Sequence, residues 1–451
     1  MDSEGMMMVT REEPGWVNWH GIGCRPSRVA APRSLAELRT VLGEAADRGS
    51  RVLAVGAGHS YNDLSLTSET LVTLKHLDRV EHIDADRGLV RVQGGARLRE
   101  LRAVLAGHRL AFSVLGDTDG QTIAGAISTG THGTGLTKHS LSGQVASLQL
   151  MLPDGSLREV SEESDPDLFQ AARCSLGVLG VVTAVTMRVV PAFTLCRVDR
   201  KVSTQEGIAL VDDPPPIDHF KVWFVPYTDT AITSSAHPFP TSPPEGQTAA
   251  RWVRDDFLVN GLMNVAGIAA RHRPQNVPAI NRWMTRLPLN STVVDHSDRI
   301  FVLPISVMHD AFEYAVPLRH GRAAVQAMLE AIEHTRPPLA IPCAVRFQPA
   351  EQGWLDPRYD QPSVCVGAAW HRGVDVSAFI RRVELAYRDL GGRPHWAKGH
   401  SLSSAELAPL YPRWDDFQAL RTSLDPSGLF GSTAIDRYLG ANTSTQETPN
   451  R

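Results

Sequence analysis

Cysteine is scarce and poorly spaced for its usual structural work. The 451-residue chain has five, Cys24, Cys174, Cys196, Cys343 and Cys365, an odd number with no CxxC and no Cys/His ligand spacing. Neither a disulfide framework nor structural zinc is expected, and no metal site is read. An excess of charge of one sign is also missing: 45 basic residues face 49 acidic ones, for a net charge of -4 and a pI near 6.5. That balance gives no reason to expect nucleic acid or an anionic membrane as partner, and any bound anion must be held locally. No apolar run approaches the roughly 20 residues of a spanning helix. Residues 1–10 lack a basic stretch followed by an apolar core, so no signal peptide is expected and the default is a soluble, cytoplasmic protein.

What the chain does have is glycine in particular places. Val52 to Val55 is a four-residue apolar strand that runs into Gly56-Ala57-Gly58-His59-Ser60. Glycines there let the backbone turn and approach a ligand closely, and successive N–H groups form a nest for a pyrophosphate. The second such stretch is Gly116 to Gly135, in which glycines alternate with Asp117, Thr118, Thr122, Ser128, Thr129, Thr131 and His132. It would make a poor core but a good wrap of donors around a flat, phosphate-bearing cofactor. Ile123, Ala124, Ala126 and Ile127 distinguish it from a polar linker.

The elements around these loops alternate. Ser34 caps a helix from Leu35 to Leu42, with Glu37 three residues on. Thr70–Leu74 and Leu89–Val92 read as strands and Arg97–Ala106 as a helix, so a mixed α and β architecture is expected. Val145–Leu152 and Leu157–Val160 form a hairpin about Pro153-Asp154-Gly155. A glycine-bearing bend, Ser175 to Gly180, precedes a β-rich run to Met187, and Pro191 closes this region. Beyond it, prolines at 214–216 and 238–245 mark loops. Phe220–Val225 reads as a strand with Trp223 and Phe224 buried. Phe257–Ala270 and Arg322–His334 read as helices, the former ending in Arg271, His272 and Arg273. Ile341–Phe347 is a strand with Arg346 inside an apolar run, where arginine seldom sits without a partner. Val364–Trp370 is a strand ending at His371. The tail, 441–451, is polar and expected to be disordered.

Taken together, Gly56-Ala57-Gly58-His59-Ser60, Ser128-Thr129-Gly130-Thr131-His132-Gly133-Thr134-Gly135 and Gly177-Val178-Leu179-Gly180-Val181-Val182-Thr183 resemble the vanillyl-alcohol-oxidase flavoprotein superfamily, specifically its aldonolactone and alditol oxidase branch. The resemblance spans about Trp16 to Gly440. It implies an α+β fold with a PCMH-type FAD-binding domain over 11–193, a substrate-binding cap over 194–394, and a C-terminal segment, 395–440, that completes the site. It also implies FAD held by Gly56, Ala57, Gly58, His59, Ser60, Gly116, Asp117, Thr122, Gly125, Thr129, Gly130, Thr131, His132, Val182 and Lys398, with His59 as covalent tether. No cysteine occurs in Gly116–Gln121 to provide a second link. The resemblance puts Lys398, in His395-Trp396-Ala397-Lys398, beside the substrate as base or hydroxyl anchor, and Arg346 as electrostatic stabiliser; His371 is a further candidate for proton handling.

The implied activity is oxidation of a C–OH carbon in a sugar-derived lactone, polyol or related alcohol. A small residue at Gly116 resembles the pattern that admits oxygen, so oxygen is the expected acceptor; a dehydrogenase with another acceptor is the alternative. The family usually carries Glu-x-Arg where this chain has Ala344-Val345-Arg346. That departure points to a less hydroxylated substrate. A hydrolase using the histidines lacks any HExxH or paired-ligand motif.

Overall fold

In a computed structural model the structure describes residues 15–242, 260–303 and 307–442. The readings made over residues 1–10, for Pro243, Pro244 and Glu245, for the start of the helix at 257–259, and for the tail from 443 onward lie outside the described residues.

Among the described residues the N-terminal half holds a three-stranded and a five-stranded sheet, beside two small two-stranded pairs. A short parallel one orders β1 (Arg28–Ala30), β3 (Thr70–Thr73) and β2 (Val52–Val55). Between β1 and β2 lies α1 (Leu35–Asp47), started by Ser34, whose side chain accepts from the Glu37 N–H. Leu38, Val41, Leu42 and Ala45 are its buried stripe, the 3.6-residue period of a helix lying on a sheet. The second sheet is antiparallel and contains β4 (Val80–Asp84), β5 (Leu89–Gln93), β6 (Val145–Met151), β7 (Leu157–Ser161) and β8 (Val181–Arg188), in the order β7-β6-β8-β5-β4. The β6–β7 hairpin turns at Pro153-Asp154-Gly155, with Gly155 at φ +78, where a left-handed residue is needed. Two helices lie in this half between β5 and β6: α2 (Leu98–Gly107) and α3 (Ile123–Ser128). The latter corrects the reading of Gly116–Gly135 as backbone loop throughout; Thr122 caps it, accepting from the Gly125 N–H.

The second half is built on one antiparallel sheet of eight strands: β9 (Thr194–Val202), β10 (His219–Phe224), β11 (Ala231–Phe239), β12 (Ser291–His296), β13 (His309–Pro317), β14 (Cys343–Gln348), β15 (Ser363–His371) and β16 (Arg393–Pro394). Their order is β12-β9-β11-β10-β14-β15-β13-β16. Helices α6 (Gly321–Thr335) and α7 (Ser377–Asp389) cover one face, where Val222, Phe224, Val316, Val345 and Val366 meet Val325, Met328 and Phe379. Two more helices, α4 (Asn260–His272) and α5 (Val277–Met284), precede β12. Side chains alternate across a pleated strand. The residues between those core positions, Lys221, Trp223, Ala344 and Arg346, therefore point to the opposite face, toward the N-terminal half.

The chain closes on itself at β2. Val52 N–H donates to the Leu429 carbonyl at 2.7 Å, and Tyr61 N–H to the Ala397 carbonyl at 2.8 Å. Asn62 Nδ2 donates to the carbonyls of Trp396, at 2.7 Å, and Lys398, at 2.9 Å. No helix among the described residues is long and apolar enough to cross a membrane.

Candidate active site

A cavity of about 950 Å³ runs between the glycine loops and the uncovered face of the eight-stranded sheet. Its walls include Gly56, Ala57, Gly58, His59, Ser60, Gly116, Asp117, Thr122, Gly125, Thr129, Thr131, His132, Val182, Arg346 and Lys398. Two expected site residues lie elsewhere. Gly130 is behind the wall: at φ +71 it turns the chain, and its carbonyl accepts from the buried Arg358 at 3.0 Å. His371 does end its strand on the cavity side of the sheet, but α4 covers it. A Cβ at Gly267 would sit 2.3 Å from His371 Nδ1. Burial lowers the pKa of His371 to about 4, with His309 acting in the same sense. We read it as a packed strand end.

At the loop end, the His59 ring stacks on Trp19 with centroids 5.2 Å apart, and Trp19 N–H donates to the Gly58 carbonyl at 2.6 Å. Burial, then Arg97 and Arg99, lower the pKa of His59, while Asp119 and the Gly120 backbone partly oppose them. The ring is thus neutral at neutral pH, with a lone pair available. The surrounding glycines are sterically required: a Cβ at Gly56 would lie 2.3 Å from Thr122 Oγ1, and one at Gly94 would lie 2.1 Å from the Val182 carbonyl.

At the sheet end sits a buried charge cluster. Arg346 binds Asp117 through Nη2 and Glu313 through Nη1, the latter at 2.9 Å. Lys221 Nζ is 3.4 Å from Asp117 Oδ1. Glu313 Oε1 also accepts from His132 Nε2 at 2.5 Å, and His132 Nδ1 is 2.9 Å from the Gly133 carbonyl. Both partners of His132 are acceptors, so both of its nitrogens donate and the ring is an imidazolium. Burial opposes that charge, but Cys365 and Glu313 outweigh it and raise the pKa to about 9. Burial also works against the Asp117 and Glu313 carboxylates; Arg346 and Lys221 on the first, and His132 and Arg346 on the second, hold both below the usual range. His395 joins His132 and Glu313 with ligand atoms within 4.8 Å of one another. The His132 nitrogens and both Glu313 oxygens are already engaged, so these three residues form an ion pair with a neutral neighbour rather than an open metal cradle.

Lys221 and Glu313 were not singled out from the sequence. The lysine next to Arg346 is Lys221, which faces it across β10 and β14; burial chiefly lowers its pKa. Lys398 instead places Nζ 4.2 Å from the centroid of the Tyr61 ring. Trp223, expected buried beside Phe224, is only half-buried and lines the cavity, whereas Phe224 is buried as expected.

The class to which this arrangement belongs is confirmed by comparison. Residues 26–161 match the FAD binding domain, so the chain is a flavoprotein oxidoreductase. A solved solvent-stable cholesterol oxidase superposes with a TM-score of 0.79 over 94% of this chain and 97% of its own, at 18% identity, which establishes the common fold.

Residues 185–438 match D-arabinono-1,4-lactone oxidase, and the chain belongs to that family. It is 37% identical to an L-gulono-1,4-lactone dehydrogenase of Mycobacterium tuberculosis, over 95% of this chain and 99% of that one. It is 31% identical to the L-gulonolactone oxidase of Mus musculus, over 93% and 97%.

Proposed function

We infer that the protein removes a hydride from a C–OH carbon of a sugar-derived lactone, polyol or related alcohol, using FAD bound covalently through His59, with oxygen as acceptor. The observation that carries the reading is one cavity with a neutral, glycine-flanked histidine at one end and a buried cationic cluster at the other. The residues fit the cofactor: the volume of about 950 Å³ lies at the upper end of ligand pockets, about 300–1,000 Å³, and Gly56, Gly58, Gly116 and Gly125 line it without side chains that would fill it. FAD would supply the two-electron redox chemistry.

The chain's own residues orient and stabilise. Arg346, permanently charged, stabilises negative charge that develops in the cavity. Lys398 anchors the substrate hydroxyl. The roles follow a division into an FAD-binding part over 11–193, a substrate part over 194–394 and a closing segment over 395–440, in a cytoplasmic protein. Gly116 favours oxygen access, while a dehydrogenase with another acceptor is the alternative, supported by the name of the mycobacterial relative.

A specific observation also favours a substrate less hydroxylated than an alditol. At the strand position where the family's acid is expected, Ala344 lines the cavity and offers no acceptor. Anaerobic mixing with aldonolactones, polyols and simpler alcohols, scored by bleaching of the flavin absorbance, tests the activity. Absence of bleaching with all three classes would refute it. Peroxide formation in air separates oxidase from dehydrogenase, and flavin released by acid would refute the tether.

A further inference from the structure

Tyr61, His309 and Lys398 line the cavity beside the Arg346 cluster without forming part of it. Tyr61 Oη lies 2.8 Å from His309 Nε2, and His309 Nδ1 lies 2.8 Å from the Val307 carbonyl. A carbonyl can only accept, so Nδ1 carries the hydrogen of the neutral ring and Nε2 keeps its lone pair for the Tyr61 hydroxyl. Lys398 Nζ sits over the Tyr61 ring, 4.2 Å from its centroid. The other basic groups at this end are committed. His132 donates through both nitrogens, Lys221 is held by Asp117, and His395 Nδ1 accepts from the Ala397 N–H at 3.1 Å.

We propose that Tyr61 and His309 form the relay that takes the hydroxyl proton from the substrate, with His309 Nε2 as its terminal acceptor. The proposal rests on the alcohol oxidation inferred above. The substrate O–H bond breaks as its proton passes to Tyr61 Oη, and the original Tyr61 proton passes to His309 Nε2. The substrate carbon would become a carbonyl as its hydrogen leaves with the bonding electron pair, for which bound FAD would be the two-electron oxidant. His309 is left as an imidazolium donating to Val307 and Tyr61, and gives up its proton after product leaves.

The groups facing His309 are Tyr61, Lys398, Asp117 and, across β15, His371. Burial lowers its pKa; the Val307 hydrogen bond raises it, and Lys398 and Asp117 act in opposite senses. The balance lies below the ordinary value, leaving a base free to accept at neutral pH.

The test uses flavin-loaded wild type, Tyr61→Phe and His309→Gln, with L-gulono-1,4-lactone as probe. Anaerobic flavin reduction is followed from about pH 5 to about pH 9 in H2O and D2O, alongside ¹⁵N NMR of the histidine rings. In the wild type the rate rises with pH through an inflection at or below the ordinary histidine value and slows in D2O. Both variants keep the flavin spectrum, lose about 100-fold in rate and lose the inflection. NMR shows Nε2 as the bare nitrogen, shifted in Tyr61→Phe. Variants that retain rate and inflection overturn the relay. If the lactone fails to reduce a flavin-loaded wild type, that lactone is not a substrate and NMR decides the relay: hydrogen on Nε2, or no response to Tyr61→Phe, overturns it. If His309→Gln does not fold, Tyr61→Phe decides alone.

Discussion

Replacing Glu313 with glutamine removes the carboxylate shared by His132 and Arg346. The consequence depends on pH in a direction the structure fixes. His132 has a folded pKa of about 9 against an ordinary 6.5. At about 1.4 kcal/mol per tenfold change in proton affinity, that gap is worth about 3 kcal/mol. A raised histidine pKa stabilises the fold fully below 6.5, and the contribution is lost as pH climbs through 9. His395 and His400, pulled down to about 3 by burial, change protonation between folded and unfolded states only below 6.5, so they leave this window flat. His139, raised by its hydrogen bond to Glu351, acts in the same sense as His132. The difference between variant and wild type therefore reports His132 better than either slope. Breaking a buried pair from one side costs about 3–5 kcal/mol. Urea unfolding at a series of pH values should show Glu313→Gln that much less stable near pH 6.5, with the deficit shrinking toward pH 9 by the part of that roughly 3 kcal/mol that Glu313 supplies, the remainder staying with Cys365. Parallel wild-type and variant curves across that window would refute the His132–Glu313 ion pair.

Lys221→Met removes one cation from Asp117 while Arg346 still holds the carboxylate. The fold should persist and the flavin become harder to reduce, a tenfold loss corresponding to about 30 mV for a two-electron couple; spectroelectrochemistry checks it. His371→Gln should leave the pH dependence of flavin reduction unchanged, because that side chain is packed under α4. A Cβ at Gly116 would sit 3.3 Å from Thr131 Cγ2 and from the His132 carbonyl. Gly116→Val should therefore slow reoxidation in air more than anaerobic reduction, measured by stopped flow. Ala344→Glu should move preference toward polyhydroxylated substrates in the same bleaching assay, with an unchanged ranking counting against position 344 as the selector.

The sequence was most legible where local chemistry decides structure. Ser34 starts α1, Val52–Val55 is a strand to the residue, and Pro153-Asp154-Gly155 turns a hairpin. The helix Ile123–Ser128 was hidden because two of its features oppose each other: Thr122 caps it, but Gly125 weakens helical propensity in a six-residue segment. Arg346 drew attention as a charge within an apolar strand. Lys221 in His-Phe-Lys-Val-Trp-Phe and Glu313 in Ala-Phe-Glu-Tyr-Ala-Val carry the same signal, and applying that test evenly would have found them. Their pairing could not be read, because it depends on strand order: β14 pairs with β10, which lies far back in the chain, and Glu313 on β13 meets Arg346 across the intervening β15. The Tyr61–His309 pair joins residues 248 positions apart, so only the folded chain brings them together.

Gly367 gives the Ala344 departure a different meaning. Across the sheet, Ala344 aligns with Gly367, and Gly367 with Glu313. A Cβ on Gly367 would fall 3.2 Å from the Glu313 Cβ and Cγ, so the bare position is the gap through which Glu313 reaches Arg346. Read along the chain, the acid beside Arg346 is missing. Read along the row, one stands two strands away, roughly 9–10 Å at ordinary strand spacing. Swaps at 313, 344 and 367 are consequently not independent events. An acid at 344 would compete with Glu313 for the same guanidinium, and a side chain at 367 would cut the existing contact, so these three positions should vary together or not at all.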